Sequence, residues 1–127
     1  MNRAPLRALR LPVLLLGVLV LSGESAAVAQ APKPTRVTVS DYFFSPSAVT
    51  IRKGSSVKWV WSSANTYPHD VHLKSGPKGL REKRSYSTTT SAVAEARFQK
   101  AFETPGTYRY FCTIHPTKMR MTVVVSR

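Results

Sequence analysis

The amino-acid sequence predicts an all-β domain, either a sandwich or a barrel. From Arg36 onward, short runs of β-branched and aromatic residues alternate with polar residues, and clusters of Gly, Pro and Ser separate the runs. No segment of this part of the chain shows the sustained apolar spacing of a long amphipathic helix. These observations together indicate seven or eight strands and no long helix.

The predicted strands follow one another along the domain, each opened or closed by a turn signal. In chain order they are Arg36–Ser40, Ala48–Arg52, Ser56–Trp61, Asp70–Leu73, Ser85–Thr90, Arg97–Phe102, Thr107–Cys112 and Met121–Val125. Ser85–Thr90 is polar and suits an edge or solvent-exposed strand. We expect one marginal helical turn at Ala92–Ala96.

The first 29 residues have the pattern of a secretory signal peptide. Three arginines precede an apolar run from Leu11 to Leu21, and small residues follow up to Ala27-Val28-Ala29. The apolar run is short for a membrane anchor, and no later segment is apolar enough to cross a bilayer. We therefore expect residues 1–29 to be removed, residues 30–35 to form a flexible lead-in, and residues 36–127 to form one exported, monomeric domain in a periplasm, a cell wall or the medium.

The chain is strongly basic, with a formal net charge of +13 at pH 7. Such a charge favours acidic or membrane-associated partners, and it speeds their encounter. Nucleic acid is the weaker interpretation, because the sequence has no recognisable nucleic-acid motif and the charge is scattered. The basic stretch 74–84 is either a solvated loop or a docking site for an acidic partner.

The single cysteine, Cys112, lies among side chains that suit a metal ion. His115 follows three residues later, Met119 lies four residues beyond it, and His69 lies far upstream. Two imidazoles, a thiolate and a weak thioether suit copper that cycles between Cu(I) and Cu(II). Zinc is the rival metal, but structural zinc sites prefer four strong Cys or His ligands and this set offers three. His72 should point to the opposite face of its strand from His69.

Three segments of this sequence resemble the blue-copper cupredoxins, the family of plastocyanin, amicyanin and pseudoazurin. They are FSPSAVTIRKGSSVKWVW, the short run PHDV, and PGTYRYFCTIHPTKM, in the order in which that family has them. The resemblance covers about Val37 to Val125. It implies a Greek-key β-sandwich with one type 1 copper ion near one end.

By position, the resemblance assigns four ligands to that copper ion. His69 and His115 match the two equatorial histidines, Cys112 the thiolate and Met119 the axial thioether. The chain also departs from the family: three residues separate His115 from Met119, and Met121 stands where a glycine is usual. Met121 is thus a second candidate for the axial ligand, although Met119 keeps the family distance to the final strand.

The function implied by the resemblance is that of an exported carrier of single electrons. It also implies that the solvent-facing edge of His115 is where electrons enter and leave. Such a protein makes and breaks no substrate bond, so we do not expect an enzyme. The alternative is a copper carrier or buffer that uses the same ligands without rapid electron transfer. A copper enzyme such as a nitrite reductase would imply several domains and further histidine clusters.

Overall fold

Eight strands form the domain, and the computed structural model describes residues 27–127. The signal peptide predicted at residues 1–29 lies almost entirely outside these described residues. In chain order the strands are β1 (Thr35–Ser40), β2 (Phe43–Ser45), β3 (Ala48–Arg52), β4 (Ser56–Trp61), β5 (His72–Ser75), β6 (Arg97–Ala101), β7 (Gly106–Phe111) and β8 (Arg120–Ser126). A short 3₁₀ turn, Lys83–Tyr86, lies between β5 and β6.

The strands pair into two sheets of four, which makes the fold a sandwich rather than a barrel. The first sheet has the order β2-β1-β4-β6, and the second has the order β3-β8-β7-β5. β1 runs parallel to β4 and β3 runs parallel to β8, whereas the other pairs are antiparallel. β7 and β8 are therefore antiparallel neighbours, and the loop that joins them lies at one end of the second sheet.

The core lies between the sheets and follows from the alternation within each strand. Every second residue of β1, β4, β7 and β8 is buried, as expected when each sheet turns one face to the interior. The central aromatic contact joins the two sheets, because the Trp59 and Tyr110 rings lie 5.1 Å apart. The largest fully buried side chains are Trp59, Tyr108, Tyr110, Phe102, Met119 and His69.

Two local predictions were wrong. Ser85–Thr90 forms no strand, because the Ser87 and Thr88 hydroxyls accept hydrogen bonds from the backbone of Leu73 and Val71 in place of a regular ladder. Ala92–Ala96 forms no helical turn, since Ala92 pairs with His69 in an isolated bridge and the Ala96 carbonyl accepts the Trp61 N–H. The short strand β2 was not predicted.

The basic segment after β5 packs at the end of the sandwich where β7 begins. Pro77 lies so close to Gly106 that a Cβ built on this glycine would be 2.6 Å from Pro77 Cγ. Farther along, Tyr86 is buried against Tyr108, with ring centroids 5.6 Å apart, and Lys100 lies over the Tyr86 ring.

Between residues 27 and 127 no helix is long and apolar enough to span a membrane.

Candidate metal centre

Two separate segments bring the predicted ligands to one end of the sandwich. Cys112 directly follows β7 and Met119 directly precedes β8, so the β7–β8 loop carries Cys112, His115 and Met119. His69 arrives from the segment between β4 and β5, where its N–H and carbonyl both exchange 2.9 Å hydrogen bonds with Ala92. The end of the sandwich with the β7–β8 loop therefore receives donors from two distant parts of the chain.

The donor atoms of His69, Cys112 and His115 all lie within 4.8 Å of one another. His115 Nδ1 is 4.0 Å from the Cys112 sulfur, and the two imidazole centroids are 5.0 Å apart. Cys112 and His69 are fully buried, whereas His115 is half-buried. Two imidazoles and a thiol thus converge on a common point, with one ring reaching the surface.

The β7–β8 loop is held by its own backbone. Cys112 N–H donates to the Met119 carbonyl at 3.1 Å, and Met119 N–H donates to the His115 carbonyl at 3.0 Å. Lys118 N–H donates to the same His115 carbonyl at 3.2 Å. These three bonds fix the loop as a compact turn between two paired strands, and Met119 is fully buried within it.

The two candidate thioethers have different surroundings. Met121 lies on β8, and its sulfur accepts a hydrogen bond from the Trp59 indole N–H at 3.1 Å. This bond assigns the Met121 sulfur to the core between the sheets. Met119 lies on the ligand-bearing loop, so it stays the predicted axial ligand.

His69 is oriented by a residue that sequence reasoning missed. The Asp41 carboxylate lies in the turn between β1 and β2, and its Oδ1 is 2.8 Å from His69 Nε2. This bond, with smaller contributions from the backbone of Thr66 and Tyr67, lowers the pKa of Asp41 well below its usual range. The other ring nitrogen, Nδ1, is buried without a hydrogen-bond partner. Nothing in the spacing of the sequence relates position 41 to position 69.

The cysteine sulfur also has a polar neighbour. The Asp70 backbone N–H points at the Cys112 sulfur at 3.5 Å. The buried Asp70 side chain accepts the Thr113 N–H at 2.7 Å and the Thr113 hydroxyl, which ties the His69 segment to the start of the β7–β8 loop. His72 is not one of the three clustered donors: it is partly exposed, and its Nε2 lies 3.9 Å from Asp70 Oδ2.

Aromatic side chains surround His115 where it reaches the surface. The Tyr42 ring meets the His115 ring edge-on with centroids 5.1 Å apart, and the Tyr67 ring lies 6.3 Å away. Both tyrosines are exposed, and Lys118 Nζ is 5.1 Å from the centre of the Tyr42 ring. Tyr42 adopts the left-handed backbone conformation, with φ of 70°, which a tight turn between β1 and β2 requires. The surface around His115 is therefore largely aromatic.

The residues present fit a metal ion. A buried imidazole nitrogen without a partner is costly unless something binds it, and here it faces a thiol and a second imidazole. Since the Asp41 carboxylate accepts a hydrogen bond from His69 Nε2–H, the ring proton stays on Nε2 and the Nδ1 lone pair is free to bind a cation. Three strong soft or borderline donors and a nearby thioether suit copper better than a four-ligand structural zinc site.

Comparison with known proteins identifies a family of copper-binding proteins. Residues 33–126 match the family described as copper binding proteins, plastocyanin/azurin family. Amicyanin-alpha of Methylorubrum extorquens is 36% identical over 99 residues, which are 75% of this chain and 76% of the relative. Plastocyanin of Prochlorothrix hollandica is 32% identical over 108 residues, which are 84% of this chain and 80% of the relative.

Solved structures share the fold. A copper-containing nitrite reductase from Thermus scotoductus superposes with a TM-score of 0.64 and 25% identity over 80% of this chain. The match covers only 24% of the reductase, so this chain corresponds to about a quarter of that protein's length. Together with the converging donors, the family match shows that the chain belongs to the plastocyanin/azurin family of copper-binding proteins, the blue-copper cupredoxins, and that its cofactor is one type 1 copper ion.

Proposed function

We propose that this protein is an exported carrier of single electrons, with His69, Cys112, His115 and Met119 as the copper ligands. The observation that carries the proposal is the convergence of two imidazoles and a thiol within 4.8 Å, with one imidazole at an aromatic surface. Bound copper would supply the one-electron chemistry by alternating between Cu(I) and Cu(II). The protein supplies the ligand positions and a route to the surface.

The surroundings of the donors support repeated electron transfer. Little movement between oxidation states keeps the barrier low, and the donors here are held by backbone bonds on both segments. His69 is fixed through Ala92 and Asp41, and the loop is fixed between Cys112 and Met119. We propose that the exposed edge of His115, between Tyr42 and Tyr67, is where electrons enter and leave.

We propose an acidic redox protein as the partner. Lys74, Arg109 and Arg120 line a shallow cavity on the outer face of the second sheet, together with Ser47 and Thr122 and with no carboxylate among the lining side chains. Arg120 directly follows Met119, so this cavity flanks the ligand-bearing loop. An acidic surface would be attracted here, and the attraction would raise the association rate at low salt.

The rest of the basic stretch lies farther from the site. Pro77 packs against Gly106, the first residue of β7, whereas Cys112 follows the last residue of that strand. The two positions are therefore separated by the whole length of β7. A strand of this length spans about 20 Å at 3.3 Å per residue. We propose that residues 78–84 act through charge and solubility, and that a partner that exchanges electrons docks at the cavity that contains Arg109 and Arg120.

The proposal includes the arrangement of the chain. Residues 1–29 form a signal peptide, residues 30–35 a lead-in, and residues 36–127 the copper domain, which acts as a monomer in a periplasm, a cell wall or the medium. β1 begins at Thr35, within one residue of the proposed start of the domain. No substrate bond is made or broken in this function, so the protein is not an enzyme.

Stopped-flow oxidation of the reduced copper protein tests the proposal. With hexacyanoferrate(III) as the oxidant, a carrier should react rapidly in one second-order phase, and the rate should fall as salt screens the attraction between anion and protein. Arg109→Gln combined with Arg120→Gln should slow the reaction at low salt more than the matched pair Lys78→Gln and Arg81→Gln. Slow oxidation that is independent of oxidant concentration would favour the alternative, a copper buffer.

A further inference from the structure

Asp41 makes more contacts to the His69 segment than a surface turn residue needs. Its Oδ2 accepts the Thr66 N–H and the Thr66 hydroxyl, both at 2.9 Å, and its Oδ1 accepts the Tyr67 N–H at 3.3 Å. The shortest contact is the 2.8 Å bond between Oδ1 and His69 Nε2. All four contacts go to a segment that begins more than twenty residues later in the chain, and one of them reaches the ring of a predicted ligand.

The bond to His69 fixes which nitrogen carries the proton. An ionised carboxylate can only accept hydrogen bonds, so Nε2 of His69 must be the donor. The Nδ1 lone pair is then directed at the shared point with Cys112 and His115, where the atom has no other partner. The backbone of His69 is also held, because the Trp61 indole N–H donates to the His69 carbonyl at 3.1 Å.

We propose that Asp41 is a positioning residue for His69 and that its negative charge shifts the copper centre toward Cu(II). This inference rests on the proposed role of His69 as a copper ligand. A carboxylate on the far nitrogen of an imidazole makes the ring a stronger donor. A stronger donor and a nearby negative charge both favour the more highly charged ion, so Asp41 lowers the reduction potential of the protein.

A purely structural role for Asp41 would have a different signature. If the carboxylate only tied the β1–β2 turn to Thr66 and Tyr67, its removal would lower the melting temperature and weaken Cu(I) and Cu(II) binding alike. The reduction potential would then stay unchanged, because it depends on the ratio of the two affinities. The potential therefore separates the two roles.

The test compares Asp41→Asn and Asp41→Ala with Glu103→Gln in the full-length protein. Asparagine keeps the size and one acceptor oxygen but loses the charge, whereas alanine loses both. Glu103 is an exposed acid close to Pro105-Gly106. Its replacement also removes one negative charge, but at a position distant from the copper end. Affinities for Cu(II) and Cu(I) are measured by competition with chelators, and the potential by voltammetry.

We expect Asp41→Ala to weaken Cu(II) binding by about 10-fold to 100-fold, the usual range for loss of such an outer partner. Cu(I) binding should weaken less, and the potential should rise. Asp41→Asn should raise the potential by a smaller amount with a melting temperature near that of the wild type, and Glu103→Gln should leave the potential in place. Equal losses for both ions, or an unchanged potential in folded Asp41→Asn, would overturn the proposal.

Zn(II) affinity keeps this test separate from the proposed function. Zn(II) is not redox-active, yet it should still bind to His69. Asp41→Ala should therefore weaken Zn(II) binding even if the copper protein proves to be a buffer. Zn(II) binding that is identical in the wild type and Asp41→Ala would contradict the positioning role. Slow electron transfer in the wild type would instead contradict the carrier function alone.

Discussion

His69 and the β7–β8 loop bring donors to the same point by different means. The loop is local: Cys112, His115 and Met119 lie within eight residues, and the loop's own backbone bonds hold it between two paired strands. His69 comes from a separate segment, and its position depends on the side chains of Asp41 and Trp61 and on the backbone of Ala92. The first arrangement is readable as a motif, whereas the second exists only in the folded domain.

The two histidines also differ in what they can do: His69 is held in place inside the protein, and His115 is placed to exchange electrons at the surface. His69 is fully buried and bonded through its far nitrogen, while His115 reaches the surface between two exposed tyrosines. We therefore expect changes around His69 to alter affinity and potential, and changes around His115 to alter the rate of electron exchange.

The largest effect should come from Cys112→Ser, which removes the only sulfur able to form a thiolate. A serine hydroxyl does not give the intense visible charge-transfer band of a copper thiolate, so the copper-loaded variant should be colourless. Visible absorption of the Cu(II)-loaded variant is the measurement. His72→Ala is the control and should keep the colour, whereas a blue Cys112→Ser protein would remove Cys112 from the site.

Replacing Met119 should change mainly the reduction potential, and replacing Met121 should change mainly the folding free energy. Met119→Leu should shift the reduction potential, because it replaces the proposed axial thioether. Met121→Leu should leave the potential nearly unchanged but cost about 1–3 kcal/mol of folding free energy, since the buried Trp59 N–H loses its acceptor. Voltammetry and chemical denaturation of both variants measure the two effects. The reverse pattern would make Met121 the axial ligand.

Backbone strain introduced at Gly106, at the end of the sandwich away from the copper site, should lower stability without changing the copper site. Gly106 has φ of 141°, and a Cβ on it would lie 2.6 Å from Pro77, so Gly106→Ala should cost about 1–3 kcal/mol. Gly79→Ala is the matched control, because φ is 76° but nothing lies within 4 Å of its Cβ, and it should cost less. Both proteins should keep the visible spectrum of the wild type. A changed spectrum in Gly106→Ala would show that strain travels along β7 to Cys112.

The smallest effect concerns Tyr108 at high pH. Burial raises the pKa of Tyr108 from 10.0 to about 12, so the folded protein holds this proton more tightly than the unfolded chain. Its contribution is complete below pH 10 and is lost as the pH rises toward 12. Tyr108→Phe should therefore flatten the fall in stability between these values, as measured by denaturation at several pH values. Parallel pH curves for the two proteins would contradict this.

Much of the fold was predictable because the strands alternate cleanly. β1, β3, β4, β7 and β8 lie where the pattern indicated, within one or two residues, and the sandwich follows from their pairing. Ser85–Thr90 was misread because its hydroxyls bond the neighbouring backbone instead of continuing a ladder, a choice that the polar β-prone sequence does not reveal. β2 is three residues long, too short for a periodic signal.

The site was predictable where it is local. The cysteine, histidine and methionine of the β7–β8 loop lie together in sequence, so their spacing carried the metal prediction. The contact between Met121 and Trp59, which favours Met119 as the proposed axial ligand, joins residues on opposite sheets and could not be read from the sequence. Asp41 and Tyr42 were not predicted, because a turn between two strands says nothing about which distant loop it will touch.

The most direct test of the central claim is the spectrum of the Cu(II)-loaded wild-type protein. Visible absorption and electron paramagnetic resonance are recorded on one sample after copper is added to the purified protein. We expect an intense visible band from the Cys112 thiolate together with the narrow copper hyperfine splitting of a type 1 centre. A colourless protein with the splitting of ordinary tetragonal copper would contradict the ligand assignment and the electron-carrier function together.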